Sequence, residues 1–331
     1  MKMVSHQYPF LFAFTMLILY ACAPVSDSPA SNNPFDTNTP LPLAYESPTP
    51  IPSSIPKPTS APNQELECQP DFCIRTSNFS LARPILPPGN NRSEAQYPFG
   101  GTQGGARDVH HGIEFNNPIG TPVHAAADGV VIFASSDDSE IFGPFAGYYG
   151  NLVIIEHHLP GEVEPLFTHY GHLSEVSVVA GEHVQRGEMI GAVGKTGVAI
   201  GSHLHFEVRE YRNDYASAVN PELYFAPLPE PSSGTPTGIL VGRIESEQGE
   251  PLSVALTVQR ITSDSSEGGI WYPELYGNGA KGSATFDENF MLAGLPEGHY
   301  RLAFIAYNRV FERFVQVLPG RITNLVITAK P

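Results

Sequence analysis

Positive charge, cysteine and membrane-length apolar runs are all scarce in this 331-residue chain. Lysine and arginine number 18 against 34 aspartate and glutamate, a formal net charge of -16. With no basic surplus to displace counterions, nucleic acid is excluded as a partner. The apolar run at residues 10–20 falls short of the roughly 20 residues that a membrane span requires. Convincing helical periodicity is missing before Asn220, which removes the helical fold classes. What the chain has instead is 31 glycines and 32 prolines, the mark of turn-rich β structure joined by extended linkers.

The run at residues 10–20 has the length of an export signal. It ends in Leu19-Tyr20-Ala21-Cys22, which resembles a bacterial lipobox with Cys22 as the first mature residue. Residues 1–22 are therefore predicted to be a signal peptide, with the protein exported and anchored to the envelope membrane by a lipid on Cys22. Ordinary signal cleavage nearby is the alternative. Residues 23–76, rich in Pro, Ser, Thr and Asn, hold too few apolar side chains to offset the entropy of ordering and read as a tether. Cys68 and Cys73 lie close together in an exported chain, which predicts a small-loop disulfide.

From residue 77 the pattern becomes short alternating apolar segments between glycine turns. An entry strand at residues 79–88, a hairpin through Asp128-Gly129, and strands at 151–157, 166–173 and 203–209 are predicted. The expected fold class is all-β: an antiparallel domain over residues 77–228, a proline-rich hinge at 229–236, and a small β-sandwich over 237–331. Strands of the second unit are expected at 239–245, 254–259, 285–292, 300–307, 311–317 and 323–328.

Histidines concentrate in the first domain. In Gly201-Ser202-His203-Leu204-His205-Phe206-Glu207-Val208-Arg209, strand alternation puts Leu204, Phe206 and Val208 on one face. His203, His205, Glu207 and Arg209 share the other. Two histidines on a solvated strand face would be unremarkable alone. His110 and Glu114 are four apart, however, on one face of a strand, and residues 168–173 add imidazoles at another strand end. Nitrogen and carboxylate donors on separate strands with an open fourth position describe a catalytic Zn²⁺ site.

At these residues a family resemblance becomes specific. The segments His110–Glu114, Gly120-Thr121-Pro122-Val123 with Asp128-Gly129, Tyr149-Gly150-Asn151, Tyr170-Gly171-His172-Leu173, the glycine-spaced stretch at 181–191, and Gly201–Glu207 occur in the order found in lysostaphin-type (LytM-like) zinc endopeptidases. The resemblance covers residues 79–224 and implies a duplicated-hybrid-motif β fold. It further implies His110, Glu114 and His205 as ligands of one Zn²⁺, with Glu114 where the family has aspartate. His172 and His203 would be the non-ligand catalytic histidines, and the activity hydrolysis of peptide bonds in peptidoglycan. Tyr97 lies upstream of His110 without a matched offset and is given no role. Residues 287–300 resemble the carboxypeptidase-regulatory-like (transthyretin-like) sandwich. There, Trp271, Tyr272 and Tyr276 form either an aromatic patch for glycan or protein contact, or ordinary loop packing.

Two other functions compete. The Glu114 departure suits a non-hydrolytic regulator that activates a separate cell-wall amidase as its partner. The 181–191 stretch also resembles biotinyl and lipoyl carrier hairpins, but Lys195 is poorly placed for modification and the histidines would be idle. His111, His124, His157, His158, His169 and His183 are expected to be structural or surface residues, with His169 nearest the site. Asp128 is expected to be a turn former.

Overall fold

A computed structural model describes residues 66–77, 79–262 and 268–331. The signal, the lipobox with Cys22 and most of the tether lie outside these residues. Among the described residues the fold is all-β, with only two single-turn 3₁₀ segments, Tyr215–Ser217 and Pro221–Leu223. No helix in this set is long and apolar enough to cross a membrane.

The first module is built on a seven-stranded sheet. Its path runs Ala218–Val219, His203–Glu210, Leu166–Leu173, Asn151–His157, Gly129–Ser136 and His183–Val184, with Ile113–Asn116 also pairing to His203–Glu210. A three-stranded sheet of Pro122–His124, Met189–Ala192 and Glu175–Val176 packs beside it. Leu204, Phe206 and Val208 are fully buried between them, with Phe115, Val153, Tyr170 and Ile190. The alternation that predicted an apolar face on residues 203–209 thus places that face in the core.

Three local expectations fail for reasons of longer range. Residues 79–88 form no strand; Leu81 makes only an isolated bridge to Phe225, and three prolines at 84, 87 and 88 deny this region a ladder. Asp128-Gly129 is no hairpin, since Pro122–His124 pairs with Met189–Ala192 while Gly129–Ser136 pairs with Asn151–His157. The dipeptide is a corner between two sheets, fixed where Asp128 Oδ1 accepts the Arg186 amide at 2.7 Å. The tether reading also ends too late: Leu66–Cys68 and Cys73–Thr76 form an antiparallel pair closed by a Cys68–Cys73 disulfide.

That pair belongs to the second module. The five-stranded sheet runs Leu66–Cys68, Cys73–Thr76, Arg321–Ala329, Thr237–Ser246 and Phe290–Pro296, and it faces a four-stranded sheet of Ile270–Trp271, Thr257–Ile261, Gly298–Ala306 and Arg309–Val317. Leu240, Ile244, Val258, Leu302, Val315 and Ile327 fill the space between. The modules are in contact. Leu223 packs on Ile239, Val241 and Ile322, and Tyr276 of the second module lies edge-on to Phe99 of the first at 5.1 Å. Tyr276 is therefore loop packing, not part of an exposed patch.

Candidate active site

Pairing of Ile113–Asn116 with His203–Glu210 sets His205 opposite Glu114 and His203 opposite Asn116. The neighbouring strand Leu166–Leu173 ends beside them, with Gly171 opposite His205. His110, Glu114, His172, His203 and His205 are thereby brought into one cluster. Sequence distances of up to 95 residues collapse to contact. The imidazoles of His110, His172, His203 and His205 are each no more than 4% exposed.

Partners fix the tautomers. His110 Nδ1 donates to the Tyr97 carbonyl at 2.8 Å, so its Nε2 bears the lone pair. His205 Nε2 donates to Glu207 Oε1 at 3.0 Å, so its Nδ1 bears the lone pair. These two lone-pair nitrogens face each other at 3.3 Å. Two acceptors at that distance repel unless a cation lies between them. Protonation is disfavoured at His110, whose pKa is held well below its usual value by burial and then by the nearby His205. Nitrogens on a tetrahedral Zn²⁺, with bonds of about 2.0–2.1 Å, sit roughly 3.3 Å apart.

Glu114 completes the donor set less tightly. Its Oε1 is 4.0 Å from His110 Nε2 and 3.6 Å from His203 Nε2. Among the described residues no group of three or more His, Cys, Asp or Glu side chains has the spacing of a closed metal cluster. The imidazole pair has it, and the carboxylate stands slightly back. Burial raises the Glu114 pKa. Two imidazoles and one carboxylate are a donor set that suits a divalent transition metal.

His172 and His203 flank this set, their rings 4.9 Å apart and His172 5.6 Å from His205. His172 has φ +63°, a left-handed conformation that non-glycine residues rarely adopt. It is held there by its amide donating to the Tyr149 carbonyl at 2.8 Å, while Nδ1 donates to Thr196 O at 2.9 Å. The consequence is a free Nε2 lone pair. Burial, then His205 and His203, lowers the His172 pKa to about 3; burial and His205 lower that of His203 to about 4. Both are neutral near pH 7. His203 Nδ1 is buried without a partner.

Behind His205 runs a buried polar chain. Burial alone would raise the Glu207 pKa, but Arg209 and the His205 hydrogen bond override it and hold the carboxyl well below its usual range. Arg209 Nη2 sits 2.8 Å from Glu207 Oε2, both side chains fully buried, and donates to Phe142 O at 2.8 Å while Nη1 donates to Asn213 O at 3.0 Å. Tyr149 donates its hydroxyl to Glu207. Gly112 lets this packing happen: a Cβ there would lie 2.7 Å from His205 Nε2. Residues 203, 205, 207 and 209 share one face by alternation, so the chain of partners was present in the pattern. Tyr97 was not. It stacks on His110 with centroids 4.1 Å apart and offers its carbonyl to the same ring, and nothing at a distance of thirteen residues announced it.

The remaining histidines lie outside the cluster of donors. His111 stacks near Tyr215 and contacts Gly279 O, His157 bonds Thr168 and Asp128 O, and His158 pairs with Glu156 at the surface. His169 is buried against Arg209 and Asn213, with burial followed by Arg209 lowering its pKa to about 3.

Comparison with known proteins gives this geometry a family. The sequence model of Peptidase family M23 matches residues 108–221. The chain is 42% identical over 122 residues to the DD-carboxypeptidase/endopeptidase Mpg of Neisseria meningitidis serogroup B, covering 37% of this chain and 24% of that protein. It is 39% identical over 99 residues to the peptidoglycan DD-endopeptidase ShyA of Vibrio cholerae, covering 30% of this chain and 20% of that one. The chain thus spans about a quarter or less of the length of these relatives. The catalytic domain of lysostaphin from Staphylococcus simulans aligns at 27% identity with a TM-score of 0.31, over 39% of this chain and 88% of that one. The stretch that carries the buried histidine cluster, residues 108–221, is a Peptidase family M23 domain.

Proposed function

We propose that this protein is a zinc-dependent endopeptidase that hydrolyses peptide bonds in peptidoglycan, held at the outer face of the envelope membrane by a lipid on Cys22. The observation that carries the reading is the pair of lone-pair nitrogens, His110 Nε2 and His205 Nδ1, facing each other at 3.3 Å. The matched relatives named as peptidoglycan endopeptidases support the substrate class.

His110, Glu114 and His205 would hold the ion. When bound, Zn²⁺ supplies Lewis acidity, lowering the pKa of water toward 7 and polarising a peptide carbonyl. His172 Nε2, unprotonated and aimed by its Thr196 contact, accepts the proton of the attacking water and returns it to the departing amine. His203 lies beside the Glu114 carboxylate, which favours a proton on its Nε2, and that N–H donates to the oxygen on which negative charge develops. Glu207 keeps the His205 proton on Nε2 and so keeps Nδ1 free for the ion. Four of the five side chains match the resemblance and the fifth, Glu114, keeps a carboxylate, so the regulator reading rests on that one departure alone.

The test is mass analysis of fragments released from purified peptidoglycan by the full chain. The expected result is peptide-bond cleavage that stops with a chelator and resumes with added zinc. Intact peptidoglycan under every metal condition would overturn it. For the anchor, metabolic labelling with a radioactive fatty acid should mark the protein and not its Cys22→Ser variant.

A further inference from the structure

Between the two modules lies a cleft of about 550 Å³. One wall is residues 92–96 with Pro98; the other is Trp271, Tyr272, Pro273 and Glu274, with Met291, Leu292, Ala293 and Gly294 behind. The first wall has two sides. Its main chain holds the catalytic cluster, with Glu94 N donating to Glu114 O at 2.8 Å and Tyr97 O accepting from His110. Ser93, Glu94 and Gln96 also line the cleft. A ligand in the cleft therefore rests on the reverse of the segment that braces the proposed metal ligands.

The second wall is built rather than draped. Glu274 Oε1 accepts from the amides of Thr102 at 2.9 Å and Gly104 at 3.3 Å and from the Thr102 hydroxyl, and Gly277 N donates to Gly100 O at 2.8 Å. A Cβ at Gly100 would lie 2.4 Å from the Tyr276 ring, so the loops interlock. What the walls offer for stacking is aromatic. Tyr272 is 73% exposed and follows the half-buried Trp271. Every charged side chain in the lining already has a protein partner: Arg83 with Glu222, Arg92 with Pro229 O, Glu94 with Asn116 and Gln96 N, and Glu274 as above. Of these only Arg83 and Glu222 are ion-paired; Arg92, Glu94 and Glu274 are held by neutral groups. Apolar C–H faces of pyranose rings lie flat on aromatic faces, and their hydroxyl and acetamido groups exchange hydrogen bonds with polar side chains such as Ser93 and Gln96.

From these features we infer that the cleft is a saccharide subsite, taking the glycan part of the substrate while the attached peptide is cut at the histidine cluster. This rests on the proposed endopeptidase reading for its role and on the cleft alone for its binding. The rival occupant is an extended peptide, because Phe290–Pro296 is the edge strand of the five-stranded sheet and contributes residues 291–294 to the lining.

Trp271 is the sole tryptophan of the chain, so its fluorescence reports on the cleft directly. The full chain should show a saturable fluorescence change with a tetramer of N-acetylglucosamine, confirmed by calorimetry, and Tyr272→Ala should weaken it at least about fivefold. The same variant should solubilise polymeric peptidoglycan more slowly and cut a sugar-free cross-linked peptide at the unchanged rate. No response to the sugar by either method, or a stronger response to the sugar-free peptide, overturns the subsite. Sugar binding without hydrolysis by any metal form keeps the subsite and overturns the endopeptidase reading.

Discussion

The seven-stranded sheet and the four-stranded sheet of the other module treat their polar faces in opposite ways. In the C-terminal module, Gly298–Ala306 alternates buried and exposed, so that Tyr300, Leu302 and Phe304 face the core while His299 and Ile305 face water. In the peptidase module, His203–Glu210 and Leu166–Leu173 are buried at every residue. An antiparallel sheet ordinarily leaves one face to solvent. Burying histidine, glutamate and arginine on that face costs desolvation, and the contacts among His205, Glu207 and Arg209 offset that cost. The difference teaches where the chemistry is: the sandwich sheet spends its alternation on folding, and the peptidase sheet uses one face for folding and the other for an ordered polar cluster.

If that division is correct, the largest effects of mutation are on activity and are confined to the buried polar face. His172→Ala and His203→Ala are each expected to lower peptide hydrolysis about 10²–10⁴-fold while the protein still binds metal. The exposed His299→Ala control should leave both untouched; steady-state kinetics with metal analysis checks this. The apolar faces, by contrast, should behave alike in the two sheets. Phe206→Ala is expected to cost about 3–5 kcal/mol and Leu302→Ala about 2–5 kcal/mol in denaturant unfolding, each by opening a cavity in a core.

Where the modules meet, Glu288 gives the comparison a pH axis. Burial raises its pKa to about 7 from 4.5, although Ser283 and Tyr276 donate to it. A carboxyl raised in the folded state binds its proton more tightly there than in the unfolded chain. Its contribution is therefore intact below about pH 4.5 and lost as pH rises through about 7, a change of about 3 kcal/mol. Urea unfolding at pH 5 and pH 8 should show this slope in the parent and a flatter one in Glu288→Gln. The smallest effect is expected one shell behind the cluster. Glu207→Gln should weaken metal binding about 10–100-fold by releasing the His205 tautomer, measured by competition with a chelating dye.

Much of the peptidase site was legible in the sequence because alternation and short motifs act locally. Residues 203–209 announced both faces of their strand; of the His110 and Glu114 pair only Glu114 stands on a strand, Ile113–Asn116, while His110 lies in the loop before it, bonded through its backbone to Gly100 and Gly101. Register between strands then did what spacing could not, setting His205 against Glu114 across 91 residues of sequence. What stayed hidden depends on distant chain. Tyr97 braces His110 through a carbonyl that every residue owns. Asp128-Gly129 has the composition of a hairpin yet turns a corner, because the partner strands come from residues 151–157 and 189–192. Residues 66–76 read as linker by composition and still pair with Arg321–Ala329, about 250 residues away. The aromatic run near 271–276 divides in the fold, with Tyr276 partly buried between modules and Tyr272 left open.

Glu114 is the least tightly placed member of the donor set, and the facing nitrogens of His110 and His205 are its centre. The most direct measurement is therefore a zinc titration of the metal-free full chain by calorimetry, repeated on His110→Ala and His205→Ala. One equivalent of zinc bound by the parent and none by either variant is the predicted result. A parent that binds no zinc, or variants that bind it as the parent does, would contradict a metal centre built on those two lone pairs.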